Sequence, residues 1–171
     1  MNVILKRPAR PVFHPIRAAC GYGAAQFMLS FVGGELKAAV PRSTLEAMSG
    51  SPLWPADMAR LLTRSGHPAH VHWFQSMTDG SRLDFISEQL RRGKPVAILG
   101  RVYILSLHWL VVCGQQGADM LVYDPRKKYG GSSVRQGLPV GNRKIPAEEL
   151  FGLWWGSVPF PKHRYKAVAF T

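Results

Sequence analysis

Apolar residues recur at two periods along this chain, and the two periods divide it into helices and strands. From Cys20 to Gly34, Ala24, Phe27, Met28 and Phe31 fall at i, i+3, i+4 and i+7, which predicts a helix with one apolar face. Gly33 and Gly34 are expected to end it as left-handed caps, and Cys20 then lies in or just before its first turn. Ser43-Thr44-Leu45-Glu46 is a capping box for a short helix. Pro55 to Ser65 predicts another helix, with Met58, Leu61 and Leu62 on one face and Gly66 closing it. A third is expected over Ser81 to Arg92, with Leu83, Ile86 and Leu90 inward and Gly93 as its stop, and a last over Pro146 to Trp154. Strand patterns occupy Ala69 to Phe74, Pro95 to Gly100 and Tyr165 to Phe170. Two further β-rich runs, Leu105 to Gly114 and Asp119 to Pro125, flank Gln115-Gln116-Gly117-Ala118 and predict a hairpin.

Chemistry enters at the start of the first helix. A thiol there meets the positive end of the helix dipole and unpaired N–H groups, both of which favour the thiolate. Gly21 and Gly23 are expected to leave the sulfur unobstructed. A free cysteine on an apolar helix also reads as a small buried hydrophobe, so the helix alone leaves both readings open. The hairpin adds a partner. With Gln115 to Ala118 as the turn, antiparallel pairing sets His108 opposite Asp124 or Pro125, within one residue of register. Cross-strand Cβ atoms lie about 5 Å apart, within carboxylate-to-imidazole reach. A carboxylate so placed fixes the imidazole tautomer and stabilises the imidazolium of a thiolate–imidazolium pair. The alternatives for these two residues are a satisfied core histidine and a strand-ending Asp-Pro turn.

Several segments occur in an order that resembles the papain-like peptidases that process double-glycine bacteriocin leaders, and their stand-alone relatives. They are Cys20-Gly21 with the Ala-rich helix after it, Gly93-Lys94-Pro95-Val96, His108-Trp109-Leu110-Val111-Val112 and Tyr123-Asp124-Pro125. The similarity runs from about His14 to Trp155. It implies an α+β, papain-like fold in which an N-terminal helical part carrying the cysteine packs on an antiparallel sheet carrying the histidine and aspartate. It implies further that Cys20 is the nucleophile, His108 the general base and acid, and Asp124 the orienting residue. One position departs from the pattern. Such enzymes carry a glutamine six residues before the cysteine, where its amide helps hold the oxyanion, and this chain has His14. A histidine N–H can donate the same bond with different reach and pH dependence, and the Cys20 N–H and Arg17 are other candidate donors.

Composition agrees with one domain over residues 1–171, with 1–12 as an extended basic arm. The 46% hydrophobic content is enough for a sizeable core. No segment approaches the roughly 20 apolar residues of a membrane span, and Met1 to Leu5 is too short for a secretory signal core. The expected setting is cytoplasmic, or export without a cleaved signal, as for an effector or toxin. Two cysteines suggest neither a disulfide framework nor a zinc site. No metal or other cofactor is expected. His70 and His72 alternate on one strand without a third ligand and are read as solvent-exposed.

Charge adds a second expectation. The formal net charge is +12, which favours an anionic partner such as an acidic protein, a nucleic acid or a membrane surface. Between Pro125 and Lys144 the chain carries Arg126, Lys127, Lys128, Arg135, Arg143 and Lys144 and no acid. Because this segment leaves the strand carrying Asp124, it is a candidate clamp for an acidic substrate or a nucleic-acid contact, or else a solvated loop. Arg126, Lys127, Lys128 and Trp109 are the candidate substrate contacts. Trp154 and Trp155 either wall a cleft or belong to the core. The leading function is peptide-bond hydrolysis in a protein or peptide. The alternatives are an acyltransferase or amidase with the same residues, and a non-catalytic basic binding module on a degenerate peptidase fold.

Overall fold

The computed structural model describes residues 2–6, 20–34, 53–74, 76–103, 106–125, 137–155 and 166–171, and structural statements below concern those residues. The capping box at Ser43, the side chains of His14, Arg17, Arg126, Lys127, Lys128 and Arg135, and that of Trp155 lie outside them. The elements are β1 (Asn2–Ile4), α1 (Cys20–Ser30), α2 (Pro55–Arg64), β2 (Ala69–Trp73), α3 (Asp79–Arg91), β3 (Val96–Tyr103), β4 (Ser106–Gln116), β5 (Asp119–Tyr123), β6 (Arg143–Pro146), α4 (Ala147–Trp155) and β7 (Lys166–Phe170).

The strands form one antiparallel sheet in the order β2-β7-β3-β4-β5-β6, with β1 added against β4. This is the α+β architecture expected from the sequence, helices packed on an antiparallel sheet. Consecutive residues Val96 to Leu99 and Trp109 to Cys113 are all buried. A strand buried on both faces reads as a continuous apolar run instead of an alternation, so helices must cover the sheet on both sides. α1 packs on β3 and β4 beside α2, while α3 and α4 also reach β3. Phe74, Phe85 and Trp154 join these last helices through ring contacts at 4.7 and 5.7 Å. Trp154 is fully buried and its indole N–H donates to the Lys166 carbonyl at 3.0 Å, so it is a core residue.

α1 is more central than a one-faced helix. Ala24, Phe27 and Met28 of the predicted stripe are fully buried, but so are Ala25 and Leu29. Its end is a Schellman-type cap: Gly33 adopts φ +73° and the Gly34 N–H donates to the Leu29 carbonyl at 2.9 Å. Gly34 is not left-handed. It is small because a Cβ there would stand 2.6 Å from His67. α2 carries Pro55 in its first turn and buries Met58, Leu61 and Leu62 as expected. α3 starts two residues before the expected Ser81, because the Thr78 hydroxyl accepts the Ser81 N–H and caps the helix.

Two expectations change at the hairpin and the N-terminus. The β4–β5 turn is Gly117-Ala118 alone, with Gln116 paired to Asp119, and a bulge between Val112 and Gly114 shifts the register by one. The last pair is Val111↔Tyr123, so continuing the ladder would set Asp124 opposite Leu110 and two residues from His108 on one face. Asp124 therefore meets His108 diagonally. Residues 2–4 are extended but are not a free arm: β1 pairs with β4, and the buried Leu5 donates its N–H to the Cys113 carbonyl at 3.1 Å. No helix among the described residues is long and apolar enough to cross a membrane.

Candidate active site

α1 begins where β4 and β5 part. His108, Trp109 and Leu110 lie past the last β4–β5 pair, so this stretch of β4 faces the start of α1 across a gap in the ladder. Gly21 and Gly23 make the approach possible. A Cβ on Gly21 would meet the Leu53 Cβ at 2.6 Å and the Trp109 ring at 3.2 Å, and one on Gly23 would meet Pro125 at 3.1 Å. Their smallness serves the seating of the helix against the sheet and the Leu53 segment. Phe27 stacks on Tyr123 at 4.1 Å and holds α1 against β5.

Three of the predicted residues come together in that gap. The Cys20 thiol is hydrogen-bonded to the His108 side chain, and the backbone N–H groups of Trp109 and Gly21 also reach the sulfur. His108 Nε2 lies 2.8 Å from Asp124 Oδ1. With the carboxylate accepting from Nε2, Nδ1 is the nitrogen left for the thiol. His108 is 6% exposed and Asp124 fully buried, whereas Cys20 is half-buried.

Electrostatics at the site follow from competing effects. Burial pushes the Cys20 thiol up, but the hydrogen bond and charge of His108, helped by the two backbone N–H groups, outweigh it and hold the thiol below its ordinary range. Burial pulls the His108 imidazole down. The bonds and charges of Asp124 and Cys20 outweigh that effect and raise it above the ordinary histidine value. Both shifts favour the same species, a thiolate beside an imidazolium. The Tyr123 phenol, buried next to the Asp124 charge, is pushed up to about 12 and stays neutral.

Asp124 is itself held from three directions. Asn142 clamps its backbone: the Asp124 N–H donates to Asn142 Oδ1 and Asn142 Nδ2 donates to the Asp124 carbonyl, both at 2.7 Å. Gly141 lets that clamp close, since it adopts φ +72° and a Cβ there would stand 2.5 Å from the Val122 carbonyl oxygen. Arg143, opposite Val122 in the β5–β6 ladder, donates to Asp124 Oδ2 at 3.0 Å and contacts Glu149 of α4 at 3.4 Å. The sequence reading missed Asn142, and it placed Arg143 in a basic clamp. The available signal was the strand-like Arg143-Lys144-Ile145-Pro146, which pairs with β5 beside Asp124.

Other candidate positions are settled by their surroundings. Trp109 is 1% exposed and donates its indole N–H to the Leu53 carbonyl at 2.7 Å. The side chain offers no open surface, and it packs beside Gly21 at the helix start. This corrects its reading as a substrate contact. Arg143 and Lys144 are likewise engaged within the fold, Lys144 with Asp119 at 3.0 Å, so neither belongs to a free basic clamp. His70 is exposed, but His72 is half-buried against Phe74 and Phe85, and burial lowers its pKa.

No protein-family model matches the sequence, and no curated protein does. Among solved structures, the fold is similar to the crystal structure of a Bacillus anthracis protein described provisionally as a C39-like peptidase. The TM-score is 0.60 at 11% sequence identity, over 100% of this chain and 98% of that one. Identity that low carries a likeness of fold alone.

Proposed function

We propose that this protein is a cysteine peptidase that hydrolyses a peptide bond in a protein or peptide substrate. The reading rests on one observation above the others: a thiol hydrogen-bonded to an imidazole whose far nitrogen lies 2.8 Å from a fully buried carboxylate. That is the nucleophile, base and orienter relation of covalent acyl-transfer chemistry. The fold shared with a protein described as a C39-like peptidase is consistent with it.

In this reading the Cys20 thiolate attacks the scissile carbonyl and forms a tetrahedral oxyanion. His108 gives its proton to the leaving amine as the oxyanion collapses to a thioester, then takes a proton from the water that hydrolyses it. Asp124 keeps the ring oriented and stabilises the imidazolium in both steps. The Cys20 backbone N–H is one candidate oxyanion donor; the other candidates, His14 and Arg17, lie outside the described residues.

The test is cleavage of a panel of unstructured proteins and peptides by the wild type and by Cys20→Ala, with new termini mapped by mass spectrometry. The expected result is cleavage by the wild type alone, yielding free carboxylate termini. New termini blocked by an added amine would point to acyl transfer, and no difference between the two proteins would remove the assignment.

A further inference from the structure

We propose that Arg143 is a positioning residue of this site: by binding the outer oxygen of Asp124 it fixes the carboxylate's second face and balances its charge, so that His108 receives one oriented acceptor instead of a free anion. The proposal rests on the peptidase reading above and goes further by adding a fourth member to the site. Asp124 is fully buried, its Oδ1 lying 2.8 Å from His108 Nε2 and its Oδ2 accepting from Arg143 at 3.0 Å. A buried carboxylate oxygen needs a donor, and Arg143 gives Oδ2 one that also carries a positive charge.

The supporting geometry is specific. Arg143 sits on β6 opposite Val122, one residue before Tyr123 and two before Asp124, in a register held by four paired residues. Asn142 beside it clamps the Asp124 backbone in both directions. The guanidinium side chain is 14% exposed and reaches from Asp124 to Glu149, which anchors its other end to α4. A guanidinium can hold two carboxylates in one plane, which a lysine ammonium does less well.

The groups facing one another are Cys20 from α1, His108 from β4, Asp124 at the end of β5, Arg143 from β6 and Glu149 from α4; the Tyr123 phenol beside Asp124 stays neutral, and β3 sets Gly100 opposite His108. With the thiolate and imidazolium formed, Asp124 and Arg143 cancel, and the half-exposed Glu149 carboxylate remains at the outer end of Arg143. Without Arg143 the buried site carries an extra negative charge. That charge opposes proton loss at both steps, from the thiol and later from the imidazolium.

The experiment is the pH dependence of Cys20 alkylation, which needs no substrate. The wild type gives a profile with an acid limb and an alkaline limb. In Arg143→Gln, which keeps an amide donor but loses the charge, both limbs are expected to move to higher pH by about half a unit to one unit. Arg143→Lys is expected to leave them nearly in place. A folded Arg143→Gln whose limbs coincide with the wild type overturns the proposal, since a merely structural arginine lowers stability without moving them. Should Arg143→Gln not fold, Glu149→Gln reads the same coupling with opposite sign. Its limbs should move to lower pH by a smaller amount, and unmoved limbs overturn the proposal. Failure of the underlying peptidase reading looks different: the wild-type Cys20 would then show only the curve of an ordinary thiol.

Discussion

Each end of the β4–β5 hairpin lies beside one of the protein's two cysteines, Cys113 within β4 and Cys20 at the start of α1, and burial acts on both. Near the closed end Cys113 sits at the bulge, fully buried, with its sulfur donating to the Leu121 carbonyl at 3.3 Å. Burial drives its thiol far above the ordinary range, and a backbone bond from Tyr123 does not offset that. At the open end Cys20 is half-buried and desolvation still pushes it up, yet its thiol is lowered, because His108 and two N–H groups face it. The difference is thus a matter of partners. Where the strands stay paired, their backbone groups satisfy one another; where they part, the Trp109 N–H and the His108 and Asp124 side chains are released to face a third element.

The largest expected effect breaks the open end outright. Cys20→Ala should abolish both peptide cleavage and fast alkylation, whereas Cys113→Ala should leave both unchanged. Next is His108→Ala. Without the imidazolium the Cys20 thiol returns toward or above its ordinary range, so alkylation at pH 7 should fall by at least about tenfold. His108 also titrates with the fold. Its raised pKa makes its contribution to stability complete below about pH 6.5, the value of an unperturbed histidine, and lost as pH rises through its higher folded value. The loss of melting temperature in His108→Gln should therefore be largest in mildly acidic buffer and shrink toward alkaline pH.

Asp124→Asn comes third and measures how much of the open end is structural. It leaves Arg143 facing an amide inside the fold, and a cost of about 3 kcal/mol is expected from chemical denaturation. A cost below about 1 kcal/mol would mean that the carboxylate is less confined than its geometry indicates. The smallest effect belongs to the closed end. Cys113→Ala should cost about 1 kcal/mol through lost packing against Gly141 and Leu121, with no change in the pH profile of Cys20.

Much of this was legible in the sequence where the signal was local. The α1 pattern, the Pro55 start of α2, the apolar runs of β3 and β4 and the candidate trio of Cys20, His108 and Asp124 all follow from period, caps and turn residues. The register was not. A two-residue turn and a bulge near Cys113 together set Asp124 diagonal to His108, and neither leaves a mark that hydrophobic pattern can read. The contacts of Arg143 and Asn142 with Asp124 were illegible for a different reason. The two residues reach Asp124 by strand pairing across a span of some 20 residues, and within a basic, Gly-rich stretch their charge and polarity read as solvent-facing.

Partners at the open end turn a half-buried thiol into a reactive one. Competitive alkylation of the folded wild type at a series of pH values, with Cys20 and Cys113 quantified in the same sample, tests it directly. Cys20 is expected to react below the pH at which a free thiol ionises and to hold that rate over a plateau, while Cys113 is labelled only on unfolding. Equal labelling of the two, or a Cys20 curve that follows a free thiol, would contradict it.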